Sequence, residues 1–110
     1  MKKHLLFVCS GNLDRSPTAE ALFSDSKQYM ARSAGTHEEA VRRINQELID
    51  WADSIFVMSE KEDGHLTFLK THLDLKGRSV YDLDVPDRWD RDDPELIQLL
   101  IKKLRAYLTL

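Results

Sequence analysis

The chain has a single cysteine, Cys9, among 110 residues. That scarcity excludes an internal disulfide and any metal site built from several thiolates. Backbone breakers are few as well, 4 glycines and 3 prolines, so no Gly/Pro-rich linker or low-complexity segment divides the chain. Positive charge is not in excess: 16 basic against 19 acidic side chains give a net charge of -3. This removes the global electrostatic case for nucleic acid, and an anionic ligand then needs a local positive site. Long apolar runs are also missing. The start Met1-Lys2-Lys3-His4 leads into only Leu5 to Cys9, far short of a signal-peptide core or a membrane span. The expectation is one domain over residues 1–110, cytoplasmic and not bound to a membrane.

What is present is a chain with 42% hydrophobic and 32% charged residues, the balance of a folded globular protein. Leu5-Leu6-Phe7-Val8 is a continuous apolar run without alternation, as expected of a strand covered on both faces in a parallel sheet, and Ile55-Phe56-Val57-Met58 repeats it. Helical spacing links Ala19, Leu22, Phe23 and Met30, and then Ala40, Val41, Ile44, Leu48 and Trp51. Thr36 with Glu39, and Ser59 with Glu62, fit the capping box at helix starts. Asp93-Pro94 opens a last helix whose acidic residues lie near its start and whose Lys102, Lys103 and Arg105 lie near its end. With weaker strands at Ala31–Ala34 and Arg78–Leu83, the pattern predicts an α/β fold: four parallel strands alternating with four helices. Asp82 to Glu95 carries seven acidic residues interleaved with Arg88, Trp89 and Arg91, and reads as a loop.

In such sheets ligands bind beyond the carboxyl ends of the strands, and the first of these ends reads Cys9-Ser10-Gly11-Asn12-Leu13-Asp14-Arg15-Ser16-Pro17. Ser16 is the expected N-cap and Pro17 the first helical residue, so the loop feeds N–H groups and a helix N-terminus into its hollow. Gly11 and Asn12 tolerate the positive φ that convergent N–H groups require. Arg15 adds a planar fork matched to two phosphate oxygens, and its charge favours a reactive thiolate at Cys9. A cysteine with an arginine six residues later is a weak pattern in a chain with eight arginines. The preceding strand, the Gly-Asn turn and the following helix give it weight against the plainer reading of a buried cysteine before an ordinary turn. A carboxylic acid that protonates a leaving oxygen is also expected, and the residues alone leave Asp82, Asp84, Asp87, Asp90, Asp92 and Asp93 open.

The segment Val8 to Glu20, V-C-S-G-N-L-D-R-S-P-T-A-E, resembles the V-C-x-G-N-x-C-R-S-P-x-A-E opening of the low-molecular-weight protein tyrosine phosphatases. Ser33-Ala34-Gly35-Thr36, the strand ending at Met58, and Asp84-Val85-Pro86-Asp87-Arg88-Trp89 continue the resemblance in the family's order, most closely to its short bacterial branch. The resemblance implies a three-layer, four-stranded parallel open sheet of order 2-1-3-4. It implies a phosphomonoester hydrolase, a protein tyrosine phosphatase, working through a phosphocysteine on Cys9. Arg15 and the amides of Ser10, Gly11, Asn12, Leu13 and Asp14 would bind the phosphoryl group. Ser16 would hydrogen-bond the Cys9 sulfur, Asn12 would hold the loop, and Asp87 would serve as general acid and base, with Asp92 or Asp93 next in line. The implied substrates are phosphorylated proteins or small aryl phosphates, with inorganic phosphate or sulfate fitting the loop, and no cofactor.

Three departures carry consequences. Asp14 stands where the family has a second loop cysteine, so the protective disulfide to the nucleophile is excluded, and the acidic side chain is expected to point outward. Arg88 and Trp89 replace the Pro and Tyr that follow the family's acid; Trp89 is then either an aromatic substrate wall or a cover for the sheet edge. The segment after Thr36 is shortened, which bears on specificity. Leu13, where the related arginine phosphatases carry Thr, leans toward aryl phosphates. His4, His37, His65 and His72 show no metal-ligand spacing and read as surface or satisfied core residues, so no metal is expected. Two other functions fit the loop. One is arsenate reduction with an external thiol, disfavoured by the lone cysteine; the other is a non-catalytic phosphate or phosphopeptide-binding module.

Overall fold

A computed structural model describes residues 1–110. Four strands, β1 (Lys3–Cys9), β2 (Tyr29–Gly35), β3 (Ser54–Val57) and β4 (Ser79–Asp82), form one parallel sheet of order β2-β1-β3-β4. The helices are α1 (Arg15–Ala21), α2 (Gln46–Trp51), α3 (Glu60–Asp63), α4 (His65–His72) and α5 (Pro94–Leu104). None is long and apolar enough to cross a membrane.

The unbroken apolar run of β1 follows from its central place. Leu5, Phe7 and Cys9 face one core with Ala19 and Phe23 beside α1 and Leu96, Leu100 and Leu104 of α5. Leu6 and Val8 face a second core with Leu48 and Ile49 of α2 and Leu69 of α4. Successive strand residues point to opposite faces, so a strand covered twice must be apolar at every position. Asp93 caps α5 by accepting from the Glu95 N–H at 2.8 Å, with Pro94 in the first turn.

Several local expectations are corrected. Met30 lies on β2, and α1 stops at Ala21. The second helix is shorter than its spacing suggests: Asn45, accepting from the Leu48 N–H at 2.9 Å, caps it, while Thr36 sits in the loop before it. Five helices replace four, because Gly64 adopts φ 64° and bends the chain between α3 and α4. Ser59 does cap α3 through Glu62 N–H at 3.0 Å.

Gly35 ends β2 directly beneath the Cys9 loop. A Cβ there would lie 2.3 Å from Ser10 O, 2.7 Å from Ala40 Cβ and 3.0 Å from Asn12 N. The requirement is for close backbone approach, and the obstacles are mostly backbone, which has no rotamer to change. Gly35→Ala is expected to lower stability by about 1–3 kcal/mol in denaturant titration and to weaken anion binding; an unchanged midpoint with unchanged phosphate affinity would refute the close-packing argument.

Candidate active site

At the carboxyl end of β1 the chain turns through Ser10 to Asp14 into α1. Asn12 takes φ 55°, a strained value for a residue with a side chain, whereas Gly11, also expected to need it, does not. Asn12 is held in place by its own side chain. Its Nδ2 donates to Ser16 Oγ and to Ser33 Oγ, both at 2.9 Å, and its Oδ1 accepts from Arg42 N–H at 3.2 Å. None of the main-chain N–H groups of Ser10 to Arg15 donates to a main-chain carbonyl. Such a run of free donors in a tight turn is an anion nest.

Ser16 is not the N-cap. The cap position is Asp14, whose side chain makes no cap bond, and Ser16 lies inside the first turn with Pro17 after it. Its hydroxyl is used elsewhere. Ser16 Oγ lies 2.9 Å from Cys9 Sγ and 3.3 Å from Ala34 O. Because Asn12 donates to Ser16 Oγ, the single hydroxyl proton is left for two acceptors, the Ala34 carbonyl and the sulfur, which is the better acceptor when it is a thiolate.

Arg15 is 2% exposed, and its Nη1 donates to Asp63 Oδ2 at 2.8 Å and to Val85 O at 3.0 Å. Fixing that end orients the guanidinium and leaves the Nε and Nη2 edge for a ligand. Arg15 Nε lies 3.9 Å from Asp87 Oδ1, and the Asp87 side chain is 60% exposed. Cys9, Ser10, Gly11, Leu13, Asp14, Arg15, His37 and Asp87 together line a cavity of about 210 Å³. None of the other acidic candidates lines it: Asp93 caps α5, and the Asp92 carboxylate lies 3.8 Å from Arg91 Nε while its N–H donates to Thr18 Oγ1 at 2.9 Å.

One expectation fails here. Trp89 is not in the cavity wall; it packs against the core beside α5, and its Nε1 donates to Glu95 Oε2 at 3.1 Å. Asp14, expected to point outward, is partly exposed, and its Oδ1 accepts the Arg91 N–H at 2.9 Å, so the carboxylate is engaged by the acidic loop.

Sequence reasoning also missed three residues. His37, directly after the Ser-Ala-Gly-Thr stretch, lies on the rim, a position that the carboxyl end of β2 beside β1 would have suggested. Asp63 and His65 reach the loop from either side of the Gly64 bend, for which no local pattern exists. His65 is fully buried. Its Nδ1 accepts the Ser59 N–H at 3.0 Å, which places the ring proton on Nε2, 2.9 Å from Ser10 Oγ. His65 therefore donates to Ser10, whose hydroxyl proton is left free.

Burial, and then the Arg15 charge, push the His65 pKa down to about 4, against the opposing pull of Asp63 and Asp82. The unfolded chain takes up this proton first. Neutral His65 thus contributes its full stability above pH 6.5, and that contribution is lost as pH falls toward about 4. Denaturation at several pH values should show wild type losing stability across this window more steeply than His65→Asn, whose amide keeps one acceptor and one donor. Parallel curves would show that His65 is not a neutral buried group.

The arrangement defines a class first: a three-layer open α/β sheet with an anion nest, thiol and arginine at the end of its first strand. The family comparison is consistent with that class. Residues 4–52 match the model of the family "Low molecular weight phosphotyrosine protein phosphatase". The fold is that of Vibrio vulnificus Wzb in complex with benzylphosphonate, with a TM-score of 0.75, 21% identity and 97% of each chain covered. Escherichia coli K30 Wzb in complex with phosphate superposes with a TM-score of 0.72 and 21% identity, over 97% of this chain and 96% of that one. YfkJ from Bacillus subtilis gives 0.68 and 24%, over 96% and 94%. No curated protein matches the chain in sequence. Residues 4–52 thus fit the model of the family that the sequence resembles, and the whole chain has the fold of these solved structures.

Proposed function

We propose that the chain is a cysteine-dependent phosphomonoester hydrolase acting on phosphotyrosine in proteins or on small aryl phosphates, through a phosphocysteine on Cys9. The observation that carries this reading is the convergence of the Cys9 thiol, free loop amides, Arg15 and Asp87 on one small cavity. Solved structures of the same fold are described as complexes with benzylphosphonate and with phosphate, ligands of the kind this cavity suits.

The phosphoryl group sits in the nest, its oxygens on the loop N–H groups and on the free edge of Arg15, which stabilise the charge carried through the transition state. The Cys9 thiolate attacks phosphorus; the S–P bond forms as the P–O bond to the leaving group breaks, and Asp87 gives that oxygen its proton. In the second step the Asp87 carboxylate takes a proton from water as the water oxygen attacks phosphorus. The S–P bond breaks, its electron pair returns to sulfur, and inorganic phosphate leaves. Ser16 donates to the sulfur when it carries negative charge, which makes it a better leaving group in this step. Asp87 is preferred to Asp92 and Asp93 because it lines the cavity, while those two serve a main-chain contact and a helix cap.

Cys9→Ser is expected to abolish turnover of aryl phosphates while inorganic phosphate still competes for the loop. Asp87→Ala should lower kcat/KM, which reports the first step alone, about 100-fold or more on phenyl phosphate and far less on an ester whose leaving group departs without a proton. Steady-state kinetics on the two esters measure this. Phosphate binding by wild type without any turnover would leave a binding module and defeat the enzyme reading.

A further inference from the structure

We infer that Asp14, at the position of the family's second loop cysteine, is a positioning residue that fixes the acid-bearing loop over the phosphate nest. The inference rests on the role proposed for Asp87. The loop, residues 83–93, is anchored at its start: Leu83 and Val85 are buried, and their N–H groups donate to Val57 O at 2.9 Å and Met58 O at 2.6 Å, which extends the line of β4. At its far end Arg91 N–H donates to Asp14 Oδ1 at 2.9 Å, and Asp92 N–H donates to Thr18 Oγ1 at 2.9 Å. Thr18 in turn donates to Asp14 O at 2.7 Å. Asp14 and Thr18 are one turn apart on the start of α1, so both far-end anchors belong to the element that carries Arg15.

Between the anchors, Asp87 has no hydrogen bond that holds its carboxylate, and its nearest cation, Arg15 Nε, is 3.9 Å away. The side chain is largely exposed. Its distance from a leaving oxygen is therefore set by the backbone, and so by the two anchored ends. Proton transfer is sensitive to such distances, and a displacement near 1 Å costs on the order of 100-fold. The alternative, that Asp14 is an N-cap kept for helix stability, does not fit, since its side chain makes no cap bond. A carboxylate within an anion site also opposes phosphate binding. Engagement by the Arg91 N–H gives this unfavourable charge a reason to be there.

The test is kinetic, on wild type, Asp14→Ala, Asp14→Asn and Thr18→Val, each with phenyl phosphate and with 2,4-dinitrophenyl phosphate. Asp14→Ala is expected to lower kcat/KM on phenyl phosphate about 10- to 100-fold more than kcat/KM on the dinitrophenyl ester, since that leaving group needs no proton and kcat/KM reports the first step alone, whereas the water attack assisted by Asp87 is common to both esters. Asp14→Asn, which keeps an acceptor oxygen, should restore the wild-type leaving-group dependence. Thr18→Val, which removes the second anchor at nearly constant volume, should shift in the same sense as Asp14→Ala. Equal losses on both esters, or failure of Asn to rescue, overturn the inference. So does an effect confined to KM and phosphate inhibition, which would mark Asp14 as a charge acting on the anion. Wild type that turns over neither ester would instead overturn the phosphatase reading itself.

Discussion

The site depends first on the hydrogen bonds of one buried amide. Asn12 holds a left-handed backbone that a residue with a Cβ adopts reluctantly, and it does so because its side chain is saturated by Ser16, Ser33 and the Arg42 main chain. Leaving such buried groups unpaired costs about 1–3 kcal/mol each, so the loop conformation and the pairing stand together. Ser33 belongs to β2 and itself donates to Glu20 Oε1 at 2.9 Å in α1. The first strand, its neighbour and the helix between them thus meet at Asn12. The same contact leaves the Ser16 proton to Ala34 O and Cys9 Sγ, so the geometry of the nest and the surroundings of the Cys9 sulfur both depend on one residue.

Electrostatics at the site follow from a single buried cation. Arg15 is nearly inaccessible, and a guanidinium does not lose its proton, so its charge has to be met where it stands. Asp63 and the Val85 carbonyl meet it at one end, leaving the other end to an anion. The same charge, added to burial, keeps His65 neutral. A neutral imidazole with Nδ1 committed to Ser59 is a pure donor at Nε2, and Ser10 is oriented accordingly. The bend at Gly64, with φ 64°, lets both Asp63 and His65 face this arrangement, His65 Nε2 lying 3.9 Å from Asp63 Oδ2.

Much of this could be read along the chain because the signals were local. The doubly apolar β1, the Cys9-to-Arg15 spacing, the Asn12 turn and the Asp93-Pro94 helix start are each a pattern within a few residues, and strand order followed from the resemblance those residues carried. What could not be read depends on distance. Ser16 has the chemistry of an N-cap, but a sulfur seven residues earlier takes its hydroxyl. Thr36 and Glu39 have capping-box spacing, yet Thr36 is bound at its N–H to Cys9 O at 2.9 Å, continuing the strand pairing, and Asn45 caps the helix instead. Asp63 and His65 have no motif at all; they matter because a glycine bend carries them to a loop some fifty residues earlier. Trp89 looked available for a substrate because sequence does not show that α5 offers it a core and Glu95 a hydrogen bond.

With Trp89 withdrawn, the cavity has no broad aromatic wall, and its outer surface consists of Leu13, His37 and Asp87. Leu13 is 60% exposed, as single surface leucines commonly are. Under the proposed function it is the apolar side chain of the cavity lining that a leaving aryl ring meets. His37 sits opposite in character, a polar ring at the end of β2 whose N–H is tied to Ser10 O at 3.0 Å, so its backbone moves only with the nest. A rim of one apolar and one imidazole side chain discriminates weakly by shape. Under the proposed function such a rim would touch only the ring next to the phosphorus, and selectivity among phosphorylated proteins would then have to come from surfaces beyond this cavity.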